Sequence, residues 1–372
     1  MTPNISIIIP VYNVEQYLAE CLDSVVNQTM RDIQIICAND GSPDGSRAIL
    51  QEYADCDARI EIIDKPNGGL SSARNAAYPL IQGKYALFVD SDDWIERDAC
   101  EKLFDKAEQS GAEITAFFYR REGDRTEHIN LSHRITPQDK ITIQEKIPLF
   151  DCNSVCYKLW RSDFLRDNHL RFPEGLYFED QLVCWQGITL ASRISVVSEE
   201  LYHYRYNPAS TVNLLDKTGF DIIPIYVMIE KFLRDYGYYD DYRDAFTCRK
   251  LLHWHCHFRL MSPLHRSRFL LMCRESLTED DRKFFYSRMC ELDKKTLRFY
   301  RLLVDGGKIG VLKYHYESYF CETVKWPERL LRRWIIKPLK TLFGNRRNAS
   351  QKAARIVSLP SCEINETNEE VQ

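Results

Sequence analysis

Short apolar runs that end in polar clusters recur through the first 95 residues. Ile5–Val11, Ile33–Ala38, Ile60–Ile63 and Tyr85–Val89 are brief and almost wholly apolar, the pattern of strands buried on both faces. Between them, Glu15–Val26, Ser46–Tyr53 and Ser71–Ala77 carry helical spacing; in the first, Tyr17, Leu18, Cys21, Leu22 and Val25 share one side. A helix around Asp98–Gln109 and a strand over Ile114–Tyr119 continue the series. Strands alternating with helices predict an α/β fold with helices on both faces of a parallel, Rossmann-like sheet. The polar clusters all fall at the carboxyl ends of the predicted strands: Tyr12-Asn13, the turn Asn39–Gly45, Asn67-Gly68-Gly69, and Asp90–Asp93. Ligands of such sheets bind at that edge, so these loops are expected to meet over one cleft.

Asp90-Ser91-Asp92 offers two carboxylates one residue apart at a strand end. Hard divalent cations such as Mg2+ or Mn2+ prefer oxygen ligands and bridge diphosphate oxygens, so the pair suits a metal–diphosphate site. Asp40 can accept from the N–H of a uracil-type base or from ribose hydroxyls; equally, it can close an Asx turn or cap the next helix. Asn67–Asn75 reads as a glycine turn into a helix N-terminus, a setting that binds anions, with Arg74 available to pair with phosphate. It lacks the Gly-Lys-Ser/Thr of a P-loop, and no GxGxxG follows the first strand. On spacing alone, Glu179-Asp180 reads as the N-cap of a helix starting near Gln181. His203, in Tyr202–Tyr206, is a strand residue and an additional candidate metal ligand. His253, His255, Cys256 and His257 would spread over different faces of a helix, which favours packing over a metal centre.

Charge is unevenly distributed. Residues 1–214 hold 21 Lys+Arg against 33 Asp+Glu, a balance of -12; residues 215–347 hold 27 against 17, a balance of +10. The acidic front suits a metal site. The overall -4 argues against nucleic-acid binding. Thirteen cysteines without CxxC pairs suggest reduced thiols and a cytoplasmic location. The N-terminus lacks the features of a signal peptide, and no apolar run is long enough to span a bilayer. Residues 326–343 form a basic amphipathic segment, with Leu330, Leu331, Trp334 and Ile335 opposed by Arg329, Arg332, Arg333 and Lys337. It is expected to lie on an anionic membrane surface at the inner face of the cytoplasmic membrane, with packing on the core as the other reading.

The stretches Ser6–Asn13, Asn39–Ser42, Asn67–Asn75 and Gly83–Asp93, in this order and spacing, resemble the family 2 inverting glycosyltransferases. The likeness returns at Lys158–Arg161, Glu179-Asp180 and Tyr202–Tyr206. It implies a GT-A fold with a nucleotide-sugar-binding half (1–119) and an acceptor-binding half (120–214). A helical C-terminal region (215–343) and a disordered tail (344–372) complete the expected organisation. In that family Pro10, Tyr12 and Asn13 would line the nucleoside pocket and Asp40 would bind the base. Asn67 and Arg74 would lie near base or diphosphate. Asp90 and Asp92 would serve ribose and metal, with Asp92 the firmer metal ligand, and Ser91 would join Asp90 in binding the nucleotide sugar. Asp180 would be the general base, supported by Glu179. The implied reaction moves a sugar, with inversion, from a nucleotide diphosphate donor (most often a UDP-sugar) to a hydroxyl of a glycan or lipid-linked acceptor, using Mn2+ or Mg2+. Such members commonly build lipopolysaccharide, capsule or other bacterial surface glycans. Two rivals remain: a sugar nucleotidyltransferase, whose glycine-rich loop after the first strand is missing here, and a non-catalytic sugar-nucleotide-binding subunit.

Overall fold

The computed structural model describes residues 2–122, 127–129, 141–151, 153–207, 215–288 and 294–306. The chain divides into two compact units, 1–246 and 247–372.

The first unit opens with β1 (Ile5–Val11), α1 (Leu18–Val26), β2 (Ile33–Asn39), α2 (Ser46–Cys56), β3 (Ile60–Asp64), α3 (Leu70–Ala77) and β4 (Tyr85–Phe88). β1, β2 and β4 are buried along their whole length. They pair in the parallel order β3-β2-β1-β4. From β1 the chain steps outward to β2 and then β3, so right-handed crossovers put α1 and α2 on one face; the return to β4 puts α3 on the other. The switch therefore falls between β1 and β4, the place where sheets of this kind bind ligands at the strand ends. Pro10 suits this place. Val89 N donates to Ile8 O (3.0 Å), so Pro10, two residues on, faces the same side, beyond the last β4 partner, and its missing N–H costs no ladder bond.

β5 (Trp94–Ile95), α4 (Ala99–Ser110), β6 (Ile114–Glu122), β7 (Glu127–Ile129) and α5 (Ile143–Lys146) follow. Then come β8 (Lys158–Arg161), α6 (Ser162–Asp167), α7 (Asp180–Leu190) and β9 (Ile194–Arg205). They extend the sheet as β4-β8-β6-β9-β5, with β7 beside β6. The expected all-parallel pattern stops at β4: β8 runs antiparallel to both β4 and β6, and β9 is again parallel to β6. The chain enters β8 from the side of β7 and the short helix α5.

α7 is buried nearly all round, with Leu182, Val183, Cys184, Trp185 and Ile188 inside. Trp185 stacks on Phe150 at 3.8 Å between centroids, and Gly187 lies against the Trp160 ring of β8. α8 (Leu215–Thr218), α9 (Ile222–Asp235) and the start of α10 (Tyr239–Leu260) belong with the sheet, α9 packing on α7.

The second unit contains the rest of α10 with α11 (Pro263–Glu275), α12 (Glu279–Arg288) and α13 (Lys294–Val304). A fully buried pair, Lys250 and Asp281 (2.7 Å), ties α10 to α12, while Arg274 donates to the last carbonyls of α13, Leu303 O and Val304 O. His255 lies against Phe299 and His257 stacks on Phe269; burial pushes His253 down to about 4. These are packing roles. Residues 326–343 and the tail 344–372 lie outside the described residues.

Candidate active site

The four carboxyl-end loops meet as expected. Tyr12 is 48% exposed, and Asn13 adopts a left-handed φ of 54°, carrying the chain off β1 into the loop before α1. Pro10, two residues before Tyr12, is buried in β1.

Asp40 is 2% exposed. It caps nothing on α2; Asp44 accepts from Ser46 N at 3.2 Å instead. Its carboxylate reaches the third loop, accepting from Gly68 N at 3.0 and 3.2 Å and from Gly69 N at 2.7 Å, with the Lys65 ammonium bonded to the same group. Asn67 Nδ2 donates to Asp40 O at 3.1 Å. The anion at the glycine turn is therefore Asp40 itself. Gly69 makes this possible: its φ of 86° is open to glycine at little cost, and its N–H turns inward.

Arg74 is the best-partnered cation of the site and is 1% exposed. Its guanidinium forks: Nη2 donates to Asp90 at 2.7 Å, and Nη1 donates to Glu179 at 2.7 Å and Asp180 at 2.6 Å. The guanidinium carbon lies 5.1 Å from the centre of the buried Phe172 ring. The adjacent Asn75 grips Phe172 by its backbone, donating to Phe172 O at 2.8 Å and accepting from Phe172 N at 3.1 Å.

Asp180 begins α7 but does not cap it. Its carboxylate accepts from Ser154 Oγ at 3.1 Å and Val155 N at 3.2 Å, and Glu179, at the N-cap position, makes no side-chain cap bond either. The cap reading of this pair is thus replaced by a role facing Arg74. Burial pushes Asp180 above the usual carboxylate range, with Asp90 adding to the shift; Arg74 and the bonds from Val155 and Ser154 pull it back. Glu179 is raised too, by burial first and then by Asp180.

The Asp90–Asp93 turn is held from β9. Tyr202 Oη donates to Asp93 at 2.6 Å and accepts from Asp90 N at 3.1 Å. Arg205 N donates to Asp93 at 2.8 Å and Arg205 Nε to Asp92 O at 2.7 Å. Ser91 is buried, and Asn207 Nδ2 donates to Asp92 Oδ2 at 3.1 Å. Asp93, Tyr202, Arg205 and Asn207 carry this turn, and spacing did not single them out; only the doubled acid Asp92-Asp93 hinted that one of the two faces inward.

These positions fit a hard cation. Asp90 Oδ2 and Asp92 Oδ1 carry no hydrogen bond, and burial together with Asp90 raises Asp92, a repulsion that a divalent ion would relieve. Among the described residues no group of three or more His, Cys, Asp or Glu could hold a metal. A cation here would complete its shell with ligand oxygens and water, as Mg2+ does. His203 is placed otherwise: its ring lies 5.0 Å from that of Trp94 in a parallel stack, with its nitrogens 2.9 Å from Glu122 and 3.0 Å from Glu96. To bind a metal it would have to leave one of those carboxylates.

The β1–β4 switch, with Asp90 and Asp92 at the end of β4 and the Arg74–Glu179–Asp180 cluster beside them, is the layout of a GT-A fold. The family model for Glycosyl transferase family 2 matches residues 6–167, and the chain belongs to that family. Two Bacillus subtilis (strain 168) proteins named as glycosyltransferases are similar. EpsJ is 37% identical over 59% of this chain and 66% of its own length, and EpsH is 33% identical over 68% and 75%. The poly(ribitol-phosphate) β-glucosyltransferase of Bacillus spizizenii is 32% identical over 66% of this chain but only 37% of its own length. Among solved structures, S. aureus TarS 1-349 with UDP-GlcNAc superposes with a TM-score of 0.56 at 20% identity, covering 82% of this chain and 92% of that one. This likeness confirms the fold.

Proposed function

We propose that the protein transfers a sugar, with inversion, from a UDP-sugar to a hydroxyl of a cell-surface glycan or lipid-linked glycan. One observation carries this reading: the Asp90 turn and Asp180, far apart in sequence, meet on a single buried guanidinium. Donor-side and acceptor-side acids thus share one small volume. The similar poly(ribitol-phosphate) β-glucosyltransferase supports a polymer acceptor.

In this reading Tyr12 and Asn13 line the nucleoside pocket, and Asp40 shapes its wall by fixing Asn67–Gly69. Asp90 and Asp92 would hold a divalent cation, which neutralises charge on the departing diphosphate. Asp180, kept in place by Ser154, Val155 and Arg74, accepts the proton of the acceptor hydroxyl as that oxygen bonds to the anomeric carbon. The bond from that carbon to the diphosphate oxygen breaks on the opposite face, and its electron pair leaves with the nucleotide. A raised carboxyl is a stronger base than a surface one, which suits the step.

Asp180→Asn is expected to reduce sugar transfer about 100- to 10,000-fold, as loss of a general base does, while UDP binding in Mn2+ stays intact. Full transfer by this variant would remove Asp180 from the mechanism. Failure of wild-type protein to bind UDP would remove the donor.

A further inference from the structure

The helix carrying Arg74, α3, opens from the glycine turn and would ordinarily be credited with gripping diphosphate. The geometry points elsewhere: we infer that Arg74 is a positioning residue that aims Asp180 and links it to the donor-side Asp90, and that it does not bind the diphosphate. This inference rests on the glycosyl-transfer reading above.

Four observations carry it. First, both terminal nitrogens of Arg74 are already bonded, to Asp90 on one arm and to Glu179 and Asp180 on the other, at 2.6–2.7 Å. Second, the side chain is 1% exposed, and its Nε–H is buried without a partner, so no donor N–H of this group faces open space. Third, the guanidinium is clamped in depth. Phe172 lies under it, and Phe172 packs edge-on against Phe88 and Tyr78 while Asn75 holds its backbone from both sides. Fourth, the charge balance is wrong for an anion: three carboxylates already surround one cation, and a diphosphate brought to the same group would add repulsion.

A planar fork is what this task requires. It reaches Asp90 on one arm and the Glu179–Asp180 pair on the other in fixed directions, which the point charge of lysine cannot do. Asp180 is also held by Ser154 and Val155, so Arg74 fixes the direction in which the base faces the cleft. The contact to Asp90 makes that direction depend on the donor side. When Asp90 is recruited by a bound donor, one arm of the fork is released while the other keeps Asp180 in place.

The test separates binding from turnover. Arg74→Gln and Arg74→Lys would be compared with wild type in two measurements: calorimetric affinity for UDP in the presence of Mn2+, and the rate at which UDP-glucose and UDP-N-acetylglucosamine are cleaved to UDP. The expected result is a UDP affinity within threefold of wild type in both variants, with kcat at least 30-fold lower and the donor KM little changed. Adding Arg74→Gln to Asp180→Asn should cost little further, because a residue that acts by aiming the base has nothing left to aim once the base is gone. Should Arg74→Gln fail to fold, Arg74→Lys keeps the charge and carries the comparison. A tenfold or greater loss of UDP affinity at unchanged kcat would make Arg74 a diphosphate ligand and overturn the inference, as would full turnover in Arg74→Lys. Wild-type protein that binds no UDP would overturn the donor reading, and the inference with it, before any substitution is made.

Discussion

Asp40 shows how far a residue can be read in isolation. Its place after the second strand was legible, and so was its chemistry as an acceptor. Its partner was not, because the amides of Gly68 and Gly69 come from another loop and no local pattern announces them. The same holds for Arg74, whose three acids stand 16, 105 and 106 residues away. Asp180 was legible only through the family likeness; by spacing it was a cap, and the structure shows that its carboxylate never turns to its own helix. The roles differ in their consequences. If Asp40 builds the turn, Asp40→Asn places an N–H group against the Gly68 and Gly69 amides and leaves Lys65 without its anion. Thermal or denaturant unfolding should then show a loss of about 1–3 kcal/mol even with no ligand present. An Asp40 that only waits for a nucleobase would leave the stability of the free protein unchanged.

At the scale of elements, the first four strands and their helices were legible to within a few residues, because uniform burial and helical spacing are strong local signals. α7 was not. It is apolar on nearly every side, so it lacks the one-sided pattern by which surface helices are recognised. Its burial is what gives Asp180 a fixed place, and two contacts test that. A Cβ on Gly187 would enter the Trp160 ring, so Gly187→Ala, normally favourable in a helix, should instead lower stability by about 1–3 kcal/mol, seen as a lower unfolding midpoint. In the same last turn, Lys146 donates to Thr189 O at 2.8 Å, and burial lowers it from 10.5 to about 8. Between these two values the unfolded chain holds the proton more firmly than the folded one. Stability conferred by this residue therefore rises with pH through that window. Relative to Lys146→Met, the wild type should gain on the order of 2 kcal/mol from pH 8 to pH 10.5 in denaturant titrations. An unchanged difference would show that Lys146 titrates normally.

For the whole molecule, charge divides the chain more sharply than shape does. The acidic balance of -12 over residues 1–214 includes the carboxylates of the site, whereas the +10 over residues 215–347 has no comparable ligand among the described residues. No described helix is long and apolar enough to cross a membrane. We propose that the basic excess serves surface attachment, with residues 326–343 laying Leu330, Leu331, Trp334 and Ile335 into the headgroup region while Arg329, Arg332, Arg333 and Lys337 meet anionic lipid. The reading rests on spacing and charge, since this segment lies outside the described residues. It makes an acceptor carried on lipid easier to reach, because the enzyme and its substrate would share one surface. Each basic residue near such a surface contributes about 1 kcal/mol, so Arg332→Glu with Arg333→Glu should cost at least about 2 kcal/mol, a roughly 30-fold weaker partition. Sedimentation with phosphatidylglycerol vesicles, at low salt and again at raised salt, measures it. Binding that survives both substitutions, or that ignores salt, would show that these arginines do not hold the protein to the membrane.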